Sequence, residues 1–442
     1  MCPKIRAKMK NRDECHRNWQ KMRSVFLTKV AKVFTDEEKI KILSDMVAIE
    51  TVDRNEEDVA NYLATLLSEY GIDSKVIPTG IPGRANLVAE IGSGSPVLAI
   101  SGHMDVVSAG NAEAWTSDPY TLTERDGKLF GRGSTDMKGG LAALVIAMIE
   151  IKEQGLLERG TLRLLATYNE ENGAVGSIQL EEAGYVSDID AIVIGEPTTG
   201  MIHPSHKGSM NFVVSSRGKS VHSSRPRGGI NAIDPLMDFA LAFKEAFKEA
   251  TKDISFGQLD FSPVLNLYGA VEGDDAGNQE LDQLLKQPTF NVTVFRGGDQ
   301  VNTIPDNAEV VFNIRTVPEF DNEAVKGVFT EVYQEFLDKG ADFDLQLTLD
   351  LKPLNGGVNS DLVQLTKTLG ATYLNQDLEV VPMTGGTDGA NFVANKPAGY
   401  PIIIFGPGST TSHQIDEYVD KDEYLTFVNL YIDLLATYLE NK

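Results

Sequence analysis

Two patterns of apolar positions alternate along the chain. Short, unbroken apolar runs bounded by glycine, serine or proline predict buried strands, and apolar residues at helical spacing predict helices packed on one face. Residues 97–100, 191–194 and 402–404 are of the first kind, and runs of this type read as parallel strands covered on both faces; residues 161–167, interrupted by Arg163, predict another strand. Residues 74–78 and 86–91 predict two further strands. Ile40, Ile42, Leu43, Met46, Val47 and Ile49 follow helical spacing after Thr35, and Glu38 completes a capping box with that threonine. A second helix over residues 56–70 stops at Gly71, the residue type that most readily ends a helix in the left-handed region. A third, over residues 141–149, is apolar on nearly every face. This alternation predicts an α/β fold class with a mostly parallel sheet.

Between Lys207 and Pro353 the pattern changes. Strands predicted around residues 212–214, 291–295, 309–314 and 343–351, with helices over 231–250 and 323–339, give the order β-α-β-β-α-β. That is a ferredoxin-like unit, able to stand as a small domain of its own. The polar piece over residues 272–287 reads as a surface excursion. The first architecture resumes near Asn359 and closes with a helix. Residues 35–206 and 354–442 are therefore expected to form one domain, with residues 207–353 inserted into it.

Charge narrows the functions. The 442 residues carry a formal charge of −24, which argues against nucleic acid and anionic membrane surfaces as partners. Residues 1–34 run the other way, with ten Lys/Arg against two acids. They lack the apolar run of a secretory signal, and are expected to be a disordered basic extension, with Met22 as an internal start. Both cysteines, Cys2 and Cys15, fall in this extension, so the folded body holds no disulfide and no thiol nucleophile, as suits a cytoplasmic protein. No run reaches the ~20 apolar residues of a membrane span.

The candidate chemistry gathers where strands are predicted to end, which is where open α/β sheets place their sites. His103 and Asp105 close the 97–100 strand, and in an extended segment residues two apart share a face. A carboxylate so placed would orient a metal-binding imidazole. Asp136 lies in a glycine-rich loop ahead of the apolar helix, Glu170 and Glu171 follow the 161–167 strand, Glu196 follows the 191–194 strand, and His413 comes late in the chain. Taken singly, these fit a core histidine, a helix-capping aspartate and a solvated acidic turn equally well. Taken together, two histidines and three carboxylates suit two divalent ions with one carboxylate shared. Glu170 is then left free as a base.

Residues 102–107 (Gly-His-Met-Asp-Val-Val), residues 134–140 (Ser-Thr-Asp-Met-Lys-Gly-Gly), the Glu170–Glu171 pair, residues 195–198 (Gly-Glu-Pro-Thr) and His413 together resemble the dinuclear-zinc deacylases and exopeptidases. That family includes succinyl-diaminopimelate desuccinylases, acetylornithine deacetylases and glutamate carboxypeptidases. The resemblance implies that Asp136 bridges two metal ions, with His103 and Glu196 completing one site and Glu171 and His413 the other. Zinc is the first expectation, with cobalt or manganese as alternatives. It implies that Glu170 is the base acting on metal-bound water and that Asp105 orients His103. Residues 218–224, around His222, resemble a dimerisation motif whose histidine reaches the partner subunit's site to stabilise an oxyanion, which implies a homodimer. Asn302, Arg315, Gly386 and Thr387 match positions that bind substrate. The chain departs from the family at Asn169 and Asn313, where aspartate is commoner. The expected reaction is amide hydrolysis of an N-acyl amino acid, desuccinylase-like. Acetylornithine deacetylase and a metallo-carboxypeptidase or dipeptidase acting on short peptides are alternatives, and a binding protein on this fold is a distant one.

Overall fold

In the computed structural model of the protein, residues 33–257 and 261–442 are described; both cysteines and all of the basic extension except Val33 and Phe34 lie outside them. Helices α1 (Asp36–Val47) and α2 (Glu56–Glu69) open the fold. Thr35 caps α1 reciprocally: its hydroxyl accepts the Glu38 N–H, and the Glu38 carboxylate accepts the Thr35 N–H at 2.7 Å. Strands β1 (Ser74–Pro78), β2 (Ala85–Ser93) and β3 (Val97–His103) follow, then the short β4 (Thr123–Arg125) and β5 (Lys128–Phe130). Helix α3 (Lys138–Glu153), β6 (Gly160–Thr167), α4 (Val175–Glu182) and β7 (Ala191–Pro197) complete the first half.

After the two-residue β8 (Ser205–His206) the chain builds β9 (Gly208–Arg217), α5 (Ile233–Thr251), α6 (Asp275–Lys286), β10 (Thr289–Gly297), β11 (Asn307–Thr316), α7 (Asn322–Asp338) and β12 (Phe343–Leu351). It returns through β13 (Leu354–Asn355), α8 (Asp361–Leu374), α9 (Gly389–Phe392), β14 (Ile402–Gly406), β15 (Tyr418–Asp420) and α10 (Lys421–Asn441).

The main sheet has the order β1-β2-β6-β3-β7-β14. Strands β6, β3, β7 and β14 run parallel, and β2 and β1 add an antiparallel edge. Every residue of β3, β6 and β14 is buried, because helices cover both faces. Helix α3 is buried from Lys138 through Ile151 and packs against α10 and β3. It is apolar all round for that reason.

The second sheet is antiparallel, in the order β10-β11-β9-β12. Burial in β9 and β11 alternates with period two, since one face meets α5 and α7 while the other does not. The covered face is built on phenylalanine: Phe212 stacks on Phe329 with centroids 4.1 Å apart, and Phe239 meets Phe312 and Phe343 edge-on. The pair β8–β13, with Leu354 opposite His206, lies where the chain leaves the main sheet for this one and comes back.

Residues 272–287 keep to the surface, as their polarity predicts, but they are regular there: α6 fills most of them and buries none of its residues. Asp274 caps this helix by accepting the Gly277 N–H at 3.0 Å, and Leu285 packs against Phe261, Val264 and Val381. The acidic Gly-Asp-Asp start is a helix N-terminus rather than a loop, with its charge favoured by the helix dipole.

Candidate metal centre

Parallel pairing of β6, β3 and β7 brings their C-terminal ends to one edge. His103 is the last residue of β3, Glu196 is the next-to-last residue of β7, and Glu170 and Glu171 come just past Tyr168 and Asn169 at the end of β6. His413 arrives on the loop after β14, at φ +65°, and Asp136 on the loop that starts α3.

These side chains meet. His103 Nε2 lies 3.1 Å from Asp136 Oδ1 and 3.5 Å from Glu196 Oε1. His413 Nε2 lies 3.3 Å from Asp136 Oδ2 and 3.1 Å from Glu171. One aspartate thus stands between two imidazoles, with an oxygen toward each. Donor atoms of His103, Asp136 and Glu171 fall within 4.8 Å of one another, as do those of His103, Glu170 and Glu196. His103 donates its Nδ1 hydrogen to the Asp105 backbone carbonyl at 2.9 Å, which leaves Nε2 as the nitrogen facing the carboxylates.

Asp105 meets His103 through its carbonyl and, at longer range, through its carboxylate. Strand β3 stops at His103, so the face-sharing of an extended segment no longer governs Asp105, and its Oδ1 stands 3.7 Å from the ring. The carboxylate also accepts the backbone N–H groups of Glu170 at 3.0 Å and Glu171 at 3.1 Å. It fixes the acidic pair, while its carbonyl fixes the histidine.

The electrostatics of the cluster are unbalanced. Burial holds Glu170 and Glu196 well above the usual carboxylate range, and neighbouring carboxylates add to the effect. Burial also pushes Asp388 up to about 6. Burial would depress His103, but the charges of Glu196, Asp136 and Asp105 overcome it and raise the ring well above its ordinary value. Hydrogen bonds to Asp136 and Glu171 lift His413 to about 10. Asp136 is the exception among the acids. Burial opposes its charge, yet the hydrogen bonds from the two histidines hold it well below the usual range. Asp136, Glu170, Glu171, Glu196 and Asp388 thus face two imidazoles, an excess of buried negative charge. Nitrogen and carboxylate donors in this ratio, short of positive charge, fit two borderline-to-hard dications.

Three supporting residues were not foreseen. Glu417 is wholly buried and accepts the backbone N–H groups of Gly133 (3.1 Å), Thr135 (2.9 Å) and Asp136 (2.9 Å) while pairing with Arg132. It holds the Asp136 loop by its backbone. Lys138 donates to the carbonyls of Met46 (3.0 Å) and Ile49 (2.7 Å), and its burial lowers it to about 7. His206 accepts the Thr387 N–H at 3.3 Å and so tethers the loop carrying Gly386 and Thr387. Only the position of Glu417, four residues after His413, could have drawn notice.

Arg315 lies half-buried on β11, close enough to His206 and Lys207 for its charge to disfavour theirs. No carboxylate pairs with it among the described residues. The structure does not bring His222 or Asn302 into the cluster. His222 is exposed, bridges to Thr303 and bonds Ser224 Oγ through Nδ1 at 2.8 Å, and the Asn302 carbonyl accepts the Ser223 N–H at 2.8 Å. Among the described residues, no helix is long and apolar enough to cross a membrane.

Comparison with known proteins follows the same lines. Residues 99–437 match Peptidase family M20/M25/M40. The chain is 42% identical over 415 residues to a probable succinyl-diaminopimelate desuccinylase of Staphylococcus epidermidis, covering 92% of this chain and 99% of that protein. It is 28% identical over 407 residues to a succinyl-diaminopimelate desuccinylase of Bordetella bronchiseptica, covering 89% and 96%. An M20 family metallo-carboxypeptidase from Sulfolobus solfataricus shares the fold with a TM-score of 0.78 at 20% identity, over 91% of this chain and 99% of that one. A dinuclear metal-binding M20 peptidase from Bacillus subtilis superposes with a TM-score of 0.61 at 18% identity, over 92% and 99%.

Proposed function

The chain belongs to peptidase family M20/M25/M40 and is a metal-dependent hydrolase, and on that footing we propose that it removes the succinyl group from succinyl-diaminopimelate, or a closely related N-acyl amino acid, in the cytoplasm. The observation that carries the reaction class is Asp136 standing between His103 and His413, with Glu170 beside them. The choice of acyl group rests on the desuccinylase relatives at 42% identity.

In this reading His103 and Glu196 hold one divalent ion, Glu171 and His413 hold the other, and Asp136 is shared. Zinc is the expected metal, with cobalt or manganese as substitutes. When bound, the ions supply Lewis acidity toward the acyl carbonyl and the attacking water. Glu170 takes a proton from that water and returns it to the leaving nitrogen, so that amide and water become carboxylic acid and free amine. Asp105 keeps Glu170 in place through its N–H.

Arg315 offers a half-buried guanidinium suited to the substrate's α-carboxylate, with Gly386 and Thr387 completing the pocket, while Asn302 lies with His222. Arg315→Ala is expected to raise KM by roughly 10- to 100-fold, the range for a lost hydrogen bond to a charged group, with kcat nearly unchanged. Steady-state kinetics decide it, and an unaltered KM would remove Arg315 from the site.

Residues 207–353 form the inserted lid and dimerisation domain in this proposal, with a second copy of the chain as partner. Strand β10 is an edge strand exposing Val292 and Phe295, and α5 exposes Met237 and Leu241; an unpaired apolar edge of this kind invites another strand. His222 of the partner subunit would then reach the acyl oxygen. Light scattering should give twice the chain mass of 48.2 kDa, and Phe295→Asp should yield an inactive monomer. A fully active monomer would exclude the trans role.

The central test is amine release by the zinc-loaded protein from succinyl-diaminopimelate, acetylornithine, acetyl amino acids and dipeptides, with a chelated control. Chelator-sensitive turnover of the succinyl substrate is expected. Preference for acetylornithine or for dipeptides would move the chain to those branches.

A further inference from the structure

We propose that Glu56, Arg84 and Asn169 form a strut that positions Glu170, an inference that rests on reading Glu170 as the base. Glu56 is the first residue of α2, and its side chain is wholly buried. Arg84 precedes β2 and points its guanidinium at it: Nε lies 3.2 and 3.1 Å from the two carboxylate oxygens, and Nη2 closes the fork. The same Nη2 donates to Asn169 Oδ1 at 2.8 Å. The guanidinium also lies over the Tyr168 ring, 5.2 Å from its centroid. Both Glu56 and Arg84 come before residue 99, ahead of the stretch matched to the family.

Asn169 has φ +60°, a left-handed conformation that asparagine tolerates better than most residues but does not hold unaided. Here its side chain is used at both ends. Oδ1 accepts from Arg84, and Nδ2 donates to the Asn172 carbonyl at 3.1 Å. Its backbone carbonyl accepts the Ala174 N–H at 2.9 Å. The next residue is Glu170, whose N–H goes to Asp105. Two anchors therefore bracket the base, Asp105 at its own N–H and Arg84 one residue earlier.

A buried ion pair is weak evidence of a stabilising role, since apolar replacements are often as stable. Arg84 does more than neutralise Glu56. The second hydrogen of Nη2 reaches over to the residue whose unusual backbone angle sets the direction in which Glu170 leaves the chain. Because that donor meets a neutral amide, Glu56 does not compete with a second carboxylate for the guanidinium. The departure from aspartate at position 169 thus has a structural use.

The test begins with Asn169→Gly, which keeps the left-handed angle without strain and leaves the Glu56–Arg84 pair intact. Expected is a fall in kcat of about 10- to 100-fold, the scale of a misplaced catalytic group, with KM held within about 2-fold. Metal content and the visible spectrum of the cobalt-loaded protein should not change. Asn169→Asp keeps an acceptor for Arg84 and should restore kcat to within about 3-fold of wild type. The double variant Arg84→Gln/Glu56→Gln removes both charges together, and should lower kcat as Asn169→Gly does without adding to it. Asn169→Gly with wild-type kcat overturns the strut. So does a fall in kcat that comes with lost metal or an altered cobalt spectrum, which would make the contact a support of the metal site. A wild-type protein that turns over no substrate would defeat the reading of Glu170 instead.

Discussion

Glu170→Gln is expected to lower kcat by about 10²- to 10⁴-fold, the range that general acid–base catalysis supplies, while the protein keeps both metal ions and its affinity for substrate. Glutamine preserves the shape of the side chain and removes only its ability to carry the proton. The backbone bond from Glu170 N–H to Asp105 survives the change, so the neighbouring Glu171 stays in place. Metal analysis beside the kinetics separates two roles for the same residue. Glu170 shares a donor group with His103 and Glu196 within 4.8 Å, close enough to bind an ion itself. If it were a ligand, the variant would lose metal in step with activity. If it is the base, metal content stays constant and kcat alone collapses. Full activity would discard the proposed mechanism.

The parts of this site that could be read from sequence are those where one local pattern decides the outcome. Strands β3, β6 and β7 are rich in apolar residues because both faces of the sheet are covered, with Arg163 admitted into β6 by pairing with Glu90 and Asp188, and the acidic or imidazole residues at or just past the end of each run mark it. The alternating strands of the second sheet were as legible, since half of each faces the phenylalanine core. What was not legible depends on contacts between distant segments. Glu417 lies in an unremarkable loop, and only folding places its carboxylate under the N–H groups of Gly133, Thr135 and Asp136. No spacing rule pairs Glu56 with Arg84, or Arg84 with Asn169, across 28 and 85 residues. Asp105 shows an intermediate case: its place beside His103 followed from the strand, but which of its atoms met the ring depended on where the strand stopped. Helix α6 was missed because the residues that cap it are the residues that also make turns.

Removing the metal ions is expected to make the protein less stable, and increasingly so as pH rises. Asp388 is wholly buried and held at about 6, against 3.8 for the free group. A carboxyl whose affinity for its proton is higher when folded contributes stability below its unfolded value, and loses it as pH climbs through the folded one. For Asp388 alone the loss is on the order of 3 kcal/mol, and Glu170 and Glu196 act in the same direction. His413 also shares this sign: lifted to about 10, it stabilises while protonated and ceases to as pH approaches that value. Asp136, held low, has the opposite sign, but its contribution is lost only as pH falls below the ordinary carboxylate range. His203 and His206, which burial lowers to about 4, and Lys138, lowered to about 7, carry the opposite sign but lie in loaded and chelated protein alike, so the metal centre is read from the difference in Tm between the two. Ion binding requires the same ligands to give up protons, so affinity rises between about pH 5 and pH 8, and at ion concentrations of about 100 to 1,000 Kd the gain is roughly 2.7 to 4.1 kcal/mol. The gap in Tm between loaded and chelated protein should widen toward alkaline pH. A gap that stays constant or narrows from about pH 5 to pH 8 would mean that the carboxylates around Asp136 are not short of positive charge, and the case for two ions at this edge of the sheet would fall with it.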